Sequence, residues 1–117
     1  MNEKDRIRIR HILNAIIEIE DFTNGFTEEQ FLNHKLVKHA TVRQFEIIGE
    51  AANSISQEII ESFPEIPWRL LVDFRNVLIH QYFGVNYKQV YKVIEEELPE
   101  LKKNIQKILE IDETGKP

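Results

Sequence analysis

Apolar positions recur every three or four residues along nearly the whole chain, with charged residues filling the intervals, which is the period of amphipathic helices. From about Asn2 to Phe22, Ile9, Ile12, Leu13, Ile16 and Ile19 form one stripe, and Asn24-Gly25 ends it. Thr27 with Gln30 makes a capping-box pattern flanked by Phe26 and Phe31 at the two positions of a hydrophobic staple. A short helix is expected there, ending near Asn33. His34 to Ser62 holds no proline and one glycine, so the pattern predicts one long helix. Its inner face would be Leu36, Ala40, Ile47, Ala51, Ile55 and Ile59, with Phe45, Ile48 and Ala52 beside them. Gly49, Ala51 and Ala52 are small enough to admit a neighbouring helix closely. After the two-proline turn Phe63–Pro67, Pro67 suits the first position of a helix running to about Tyr82–Gly84, with Gly84 as a left-handed C-cap. Asn86 with Gln89 opens a last stripe, Val90, Ile94, Leu98, Leu101, Ile105 and Ile108, which Pro99 should kink or split. Residues 112–117 are polar and expected to fray. The whole is predicted to be all-α, a four-helix bundle with additional short helices, in one domain over residues 1–117.

Composition narrows the function classes. With 42% hydrophobic and 30% charged residues in 117, the chain has material for a single soluble core. No apolar run approaches the ~20 residues of a membrane span, and the N-terminal stretch lacks a signal peptide's apolar region, so a cytoplasmic location is expected. The absence of cysteine excludes disulfides, zinc–thiolate sites and thiol chemistry. A net charge of −5 gives no overall attraction to nucleic acid, so any such contact has to be local or shared between subunits. His11, His34 and His39 have no metal-ligand spacing and read as surface residues. Four glycines without a phosphate-binding loop leave no nucleotide-cradling motif, and no cofactor is expected.

The candidate chemistry lies in Arg75-Asn76-Val77-Leu78-Ile79-His80-Gln81-Tyr82. Arg69, Asp73, Asn76 and His80 share one narrow polar stripe of an otherwise core-like helix. Arg75 falls instead with Trp68, Leu71, Val72 and Ile79, on a face expected to be buried, where a guanidinium is costly unless paired or facing a wet cleft. A histidine in the last helical turn suits proton donation, and a guanidinium suits a phosphate. Asn76, one helical turn before His80, can orient the ring or contact the substrate. These are the parts for metal-independent RNA cleavage, in which a ribose 2′-hydroxyl attacks the adjacent phosphate while one group removes a proton and another protonates the leaving oxygen. One histidine in the motif, where the reaction wants both an acid and a base, favours a symmetric dimer that brings two copies of the stretch together. On an ideal helix Arg75 and His80 point about 140° apart. The same residues also fit structural roles: Arg75 as an ion-pair partner of Glu50, His80 as a helix cap, Tyr82 as a packed aromatic. Tyr87 and Tyr91 read as surface or interface aromatics.

The stretch fits R-x4-H-x-Y, and with Gly49-Glu50-Ala51, Ile66-Pro67-Trp68 and Tyr82-Phe83-Gly84-Val85 the chain resembles the HepT-like branch of the HEPN superfamily over nearly its full length. The resemblance implies a HEPN-type helical bundle that dimerises through the motif, acting as a metal-independent endoribonuclease toxin of a toxin–antitoxin pair. It implies Arg75 and His80 as the catalytic pair, Asn76 and Glu50 as supporting residues, and Tyr82 as acceptor of AMP from a minimal nucleotidyltransferase (MNT) antitoxin. Two other readings stand beside it. One is a non-catalytic helical binding partner of a nucleotidyltransferase, and the other a HEPN nuclease without an AMP-transferring antitoxin.

Overall fold

The computed structural model describes residues 1–81 and 83–115. The described residues are helical throughout, with no strand: α1 (Glu3–Thr23), α2 (Glu28–Leu32), α3 (Lys35–Asn53), α4 (Gln57–Ser62), α5 (Trp68–His80), α6 (Tyr87–Glu96) and α7 (Leu98–Thr114). α3 is the central element, packed against α1 on one side and α5 on the other. α7 lies on α1, and α6 packs on α7 and α2.

Local side chains cap the starts of α1, α2, α3, α4 and α6. Asn2 caps α1 by accepting from the Asp5 amide at 2.7 Å. Thr27 and Gln30 form the reciprocal capping box at α2. His34 caps α3 through Nδ1, which accepts from the Val37 amide at 3.2 Å, while its ring leans on Phe26. Asn86 accepts from Gln89 at the start of α6. Gly25 ends the first turn region at φ 79°, a conformation that favours glycine.

Ile9, Ile12, Ile16 and Ile19 of the α1 stripe are buried as expected, with Leu13 partly so, and all six residues from Val90 to Ile108 in the last stripe are buried. Pro99 stands in the first turn of α7, just past the break at Glu97, where its missing N–H leaves no hydrogen bond unmade. α7 runs through Thr114, beyond the point where a polar tail was expected, because its last turns are tied to α1. Arg6 forks onto Asp112 at 2.7 and 3.2 Å, and Lys102 reaches Glu20 at 2.8 Å.

Three expectations are corrected. The long helix breaks at Ser54–Ser56 into α3 and α4. Ser56 caps α4, and its amide and hydroxyl donate to the buried carboxylate of Asp5 at 3.0 and 2.6 Å. A long-range acceptor that satisfies these donors stabilises a second helix start in place of a continuous helix. The inner face of α3 is set by Thr41, Phe45, Ile48, Gly49, Ala51 and Ala52, whereas Leu36 is 73% exposed at the helix start. α5 ends without a left-handed glycine. Gln81 donates back to Val77, and Gly84 closes a turn onto Gln81 at 2.8 Å with no positive φ.

Candidate active site

α5 is short, apolar and wedged against α3. Trp68 anchors its start, 5% exposed, with the indole N–H donating to the Phe63 carbonyl at 3.1 Å. Phe74 meets Phe45 of α3 edge to face. One turn further, α3 and α5 approach so closely that a methyl group at Gly49 would lie 2.1 Å from the Arg75 Cβ and 2.9 Å from the Leu71 carbonyl oxygen. Only glycine permits this crossing. The stem of Arg75 therefore lies on the bare backbone of Gly49, and its direction is fixed by packing.

The guanidinium emerges at the edge of that crossing. Nη1 donates to Asn76 Oδ1 at 3.0 Å, and Nη2 stands 3.7 Å from a Glu50 carboxylate oxygen. Glu50 is more than half exposed, so the ion pair is partly screened and contributes little to stability. Nε is buried with no acceptor among the described residues. A buried donor left unmade costs about 1–3 kcal/mol. Arg75 is thus held firmly by its neighbours but poorly rewarded in stability.

The Glu50 partnership anticipated from the sequence is present. The Asn76 side chain accepts from Arg75. Arg43 does not join this group; it is 62% exposed and pairs with Glu46. His80 occupies the last turn of α5, exposed, and makes no hydrogen bond or ion pair among the described residues. Within one chain Arg75 turns in toward α3 and His80 faces outward. Tyr82, the expected AMP acceptor, lies outside the described residues.

Around His80 the outer side of α5 is unusually apolar. Leu70 is 67% exposed and Val77 44% exposed, with Asp73 between them. Leu70 and Val77 are seven residues apart and share a face two turns long. A concavity beside Asn76, lined by Asn53, Arg69 and Asp73, runs along the other flank of α5. A larger one between α2 and α6 is lined by Glu28, Lys88, Lys92, Glu95 and Glu96, includes no residue of the motif and is of mixed charge. Tyr91 in its wall is half-buried, donates to the Phe26 carbonyl at 3.0 Å and packs on Phe31, so it is more a core residue than a surface one. Burial first, and the neighbouring Glu95 second, push its hydroxyl above the usual tyrosine range.

A family model described as "Ribonuclease HepT-like" matches residues 12–108. The chain belongs to the HepT-like ribonuclease family. Among its HepT-like relatives, "Putative RNase MJ1216" of Methanocaldococcus jannaschii is 44% identical, over 84% of this chain and 81% of that protein. "Putative RNase MJ1380" of the same organism is 38% identical over 81% and 87% of the two chains. "Probable ribonuclease HepT" of Thermococcus cleftensis is 38% identical over 92% and 98%. No solved structure matches the chain. Within this HepT-like bundle the sequence reading missed Asp5 as a structural residue. It also missed the direct seating of Arg75 on Gly49. The signal for the second was a glycine in mid-helix beside the proposed carboxylate partner. For Asp5 none existed, since an acid in a first helical turn is ordinary.

Proposed function

We propose that this HepT-like chain is a metal-independent endoribonuclease that works as a homodimer. The observation that carries the reading is the placement of Arg75: a guanidinium pinned by the α3–α5 crossing, with its Nη atoms at the surface and no strong ion pair to explain it. Such a fixed cation suits a scissile phosphate, whose developing charge it stabilises without having to reorganise. The ribose 2′-hydroxyl attacks phosphorus, the 5′-oxygen leaves, and the products are a cyclic phosphate and a free 5′-hydroxyl. His80 supplies the proton to the leaving oxygen, and a second His80 from a partner chain suits the role of base. The exposed Leu70–Val77 face supports dimerisation beside His80. It also resolves the divergence of the two residues within one chain, because Arg75 of one copy can act with His80 of the other.

The same reading assigns the chain to a toxin–antitoxin pair. Tyr82 stands two residues past His80, so AMP on its hydroxyl adds bulk and negative charge where RNA must approach. The chain has no phosphate-binding loop of its own, which leaves AMP transfer to an MNT-type nucleotidyltransferase partner. The runner-up is a non-catalytic partner of such an enzyme, favoured by the outward position of His80 in the single chain.

The deciding experiment is cleavage of a mixed RNA pool in EDTA by wild type and His80→Ala, with the intact mass of both measured so that modification at Tyr82 is recognised. Cleavage by wild type that is lost in the variant is the expected result. No cleavage by folded, unmodified wild type selects the binding-partner reading.

A further inference from the structure

We propose that the RNA strand reaches Arg75 along the groove between α1 and the second half of α3, with its phosphates held by Lys4, Arg8 and His11. This rests on the nuclease reading above and names the surface through which that site takes its substrate. The groove is open, about 540 Å³, with Lys4, Arg8 and His11 on its α1 wall, Ile7 and Ile47 also lining it, and Glu50 on its α3 wall. That is within the size range of sites for nucleotide-sized ligands. Residues 4, 8 and 11 are spaced by four and three, so they share one side of α1. Lys4 and Arg8 are separated by about 6 Å of helix rise, comparable to neighbouring phosphates on an extended strand.

The acids that would ordinarily neutralise these cations are committed elsewhere. Glu3 pairs with Arg6, and Asp5 is buried on Ser56. Arg6, facing away, is taken by Asp112. Lys4, Arg8 and His11 have no ion pair or hydrogen bond among the described residues, although Arg8 is only partly exposed. Lone lysines occur elsewhere, but Lys103 and Lys107 lie exposed on α7 among Glu100 and Glu110. In a chain of net charge −5, Lys4 and Arg8 on one groove wall, with His11 beside them and Glu50 as the only acid among the described residues lining the groove, are a local reversal of sign. The groove is also continuous with the site. Glu50 lines its α3 wall and is the same carboxylate that stands 3.7 Å from the Arg75 guanidinium, so the groove meets the site at Glu50.

The test measures binding of a labelled single-stranded RNA across a salt series, with His80→Ala in the full chain to prevent turnover. Lys4→Gln with Arg8→Gln should weaken binding at least tenfold at low salt and reduce the log–log salt slope by about 1.4, from roughly 0.7 per phosphate contact. Lys103→Gln with Lys107→Gln makes the same change in net charge on α7 and should leave both quantities unchanged. Should the Arg8 variant melt early, Lys4→Gln with His11→Gln replaces it, since both side chains are exposed. Equal weakening by the α1 and α7 pairs, or none by the α1 pair, overturns the groove as the RNA path. Cleavage by the His80-intact protein then shows whether the nuclease reading survives it. If no RNA binds and no RNA is cleaved, both fall.

Discussion

Arg75 occupies a position where an ordinary helical core would place an aliphatic side chain. Its stem is pressed on Gly49, its Nε is buried without an acceptor, and its one carboxylate partner is half in water. Replacing a packed side chain that carries a buried, unmade donor with an apolar residue of similar shape can be nearly neutral or stabilising. Arg75→Met is therefore expected to melt at the wild-type temperature or a few degrees above it, and to show no RNA cleavage. Arg75→Ala should be less stable than Arg75→Met, because it also removes the packed stem. Thermal unfolding of the three proteins, with cleavage assays in parallel, checks the ordering. A large loss of stability in Arg75→Met would show that the guanidinium is chiefly structural. Much at this scale was legible beforehand. The helical wheel put Arg75 on the inner face, and the nearest acid of the same register was Glu50. Asp5 was not legible, since its partner Ser56 lies 51 residues away and nothing in the local pattern links them.

Elements were legible where a breaker or a cap is written into a few neighbouring residues, as at Gly25, Thr27, Asn86 and Pro99. The break between α3 and α4 was hidden because its cause is tertiary: Asp5 of α1 holds Ser56. The register of α3 was misjudged toward Leu36 because several apolar stripes compete on a helix packed on two sides. Gly49 sets how closely α3 and α5 cross. Gly49→Ala should cost about 1–3 kcal/mol, in the range of overpacked cores, and move Arg75 enough to remove most cleavage. A lower denaturant midpoint together with lost activity is the expected result, and an unaffected midpoint would mean the crossing relaxes freely. The α1–α7 contact has its own signature. The Arg6 hydrogen bond, aided by its charge, holds the Asp112 carboxyl below the usual carboxylate range against the opposing effect of burial. A lowered folded value means that the contribution is complete above the unfolded value near ~3.9 and is lost as pH falls through the folded one. The difference in melting temperature between wild type and Asp112→Asn should therefore be constant near neutrality and close below about pH 4. A difference that persists unchanged into strong acid would show that the pair contributes through geometry alone.

For the whole molecule, the central tension is that Arg75 and His80 diverge on α5 while the proposed reaction needs both at one phosphate. A symmetric dimer resolves it only if the site is composite, with Arg75 of one chain acting with His80 of its partner. That arrangement makes a quantitative statement. Arg75→Ala and His80→Ala are each expected to be inactive alone. When they are mixed in equal amounts and allowed to exchange, half of the dimers are mixed. Each mixed dimer retains one intact Arg75–His80 pair, with water standing in for the missing His80 base, so activity recovers to at most about a quarter of wild type by isologous symmetry. A site built from Arg75 and His80 of the same chain gives no recovery, because every chain in the mixture lacks one of the two. The exposed apolar face supplies the second arm. Leu70 is far from Arg75 in register but central to the face shared with Val77, so Leu70→Asp should leave the fold intact, shift the mass measured by light scattering to that of a monomer, and abolish cleavage. Recovery in the mixture with a dimeric wild type and a monomeric, inactive Leu70→Asp protein would place the active site across the two-fold axis. A monomeric Leu70→Asp protein that still cleaves RNA would return both catalytic groups to one chain, and the end of α5 would then have to rearrange to bring His80 toward the α3 side.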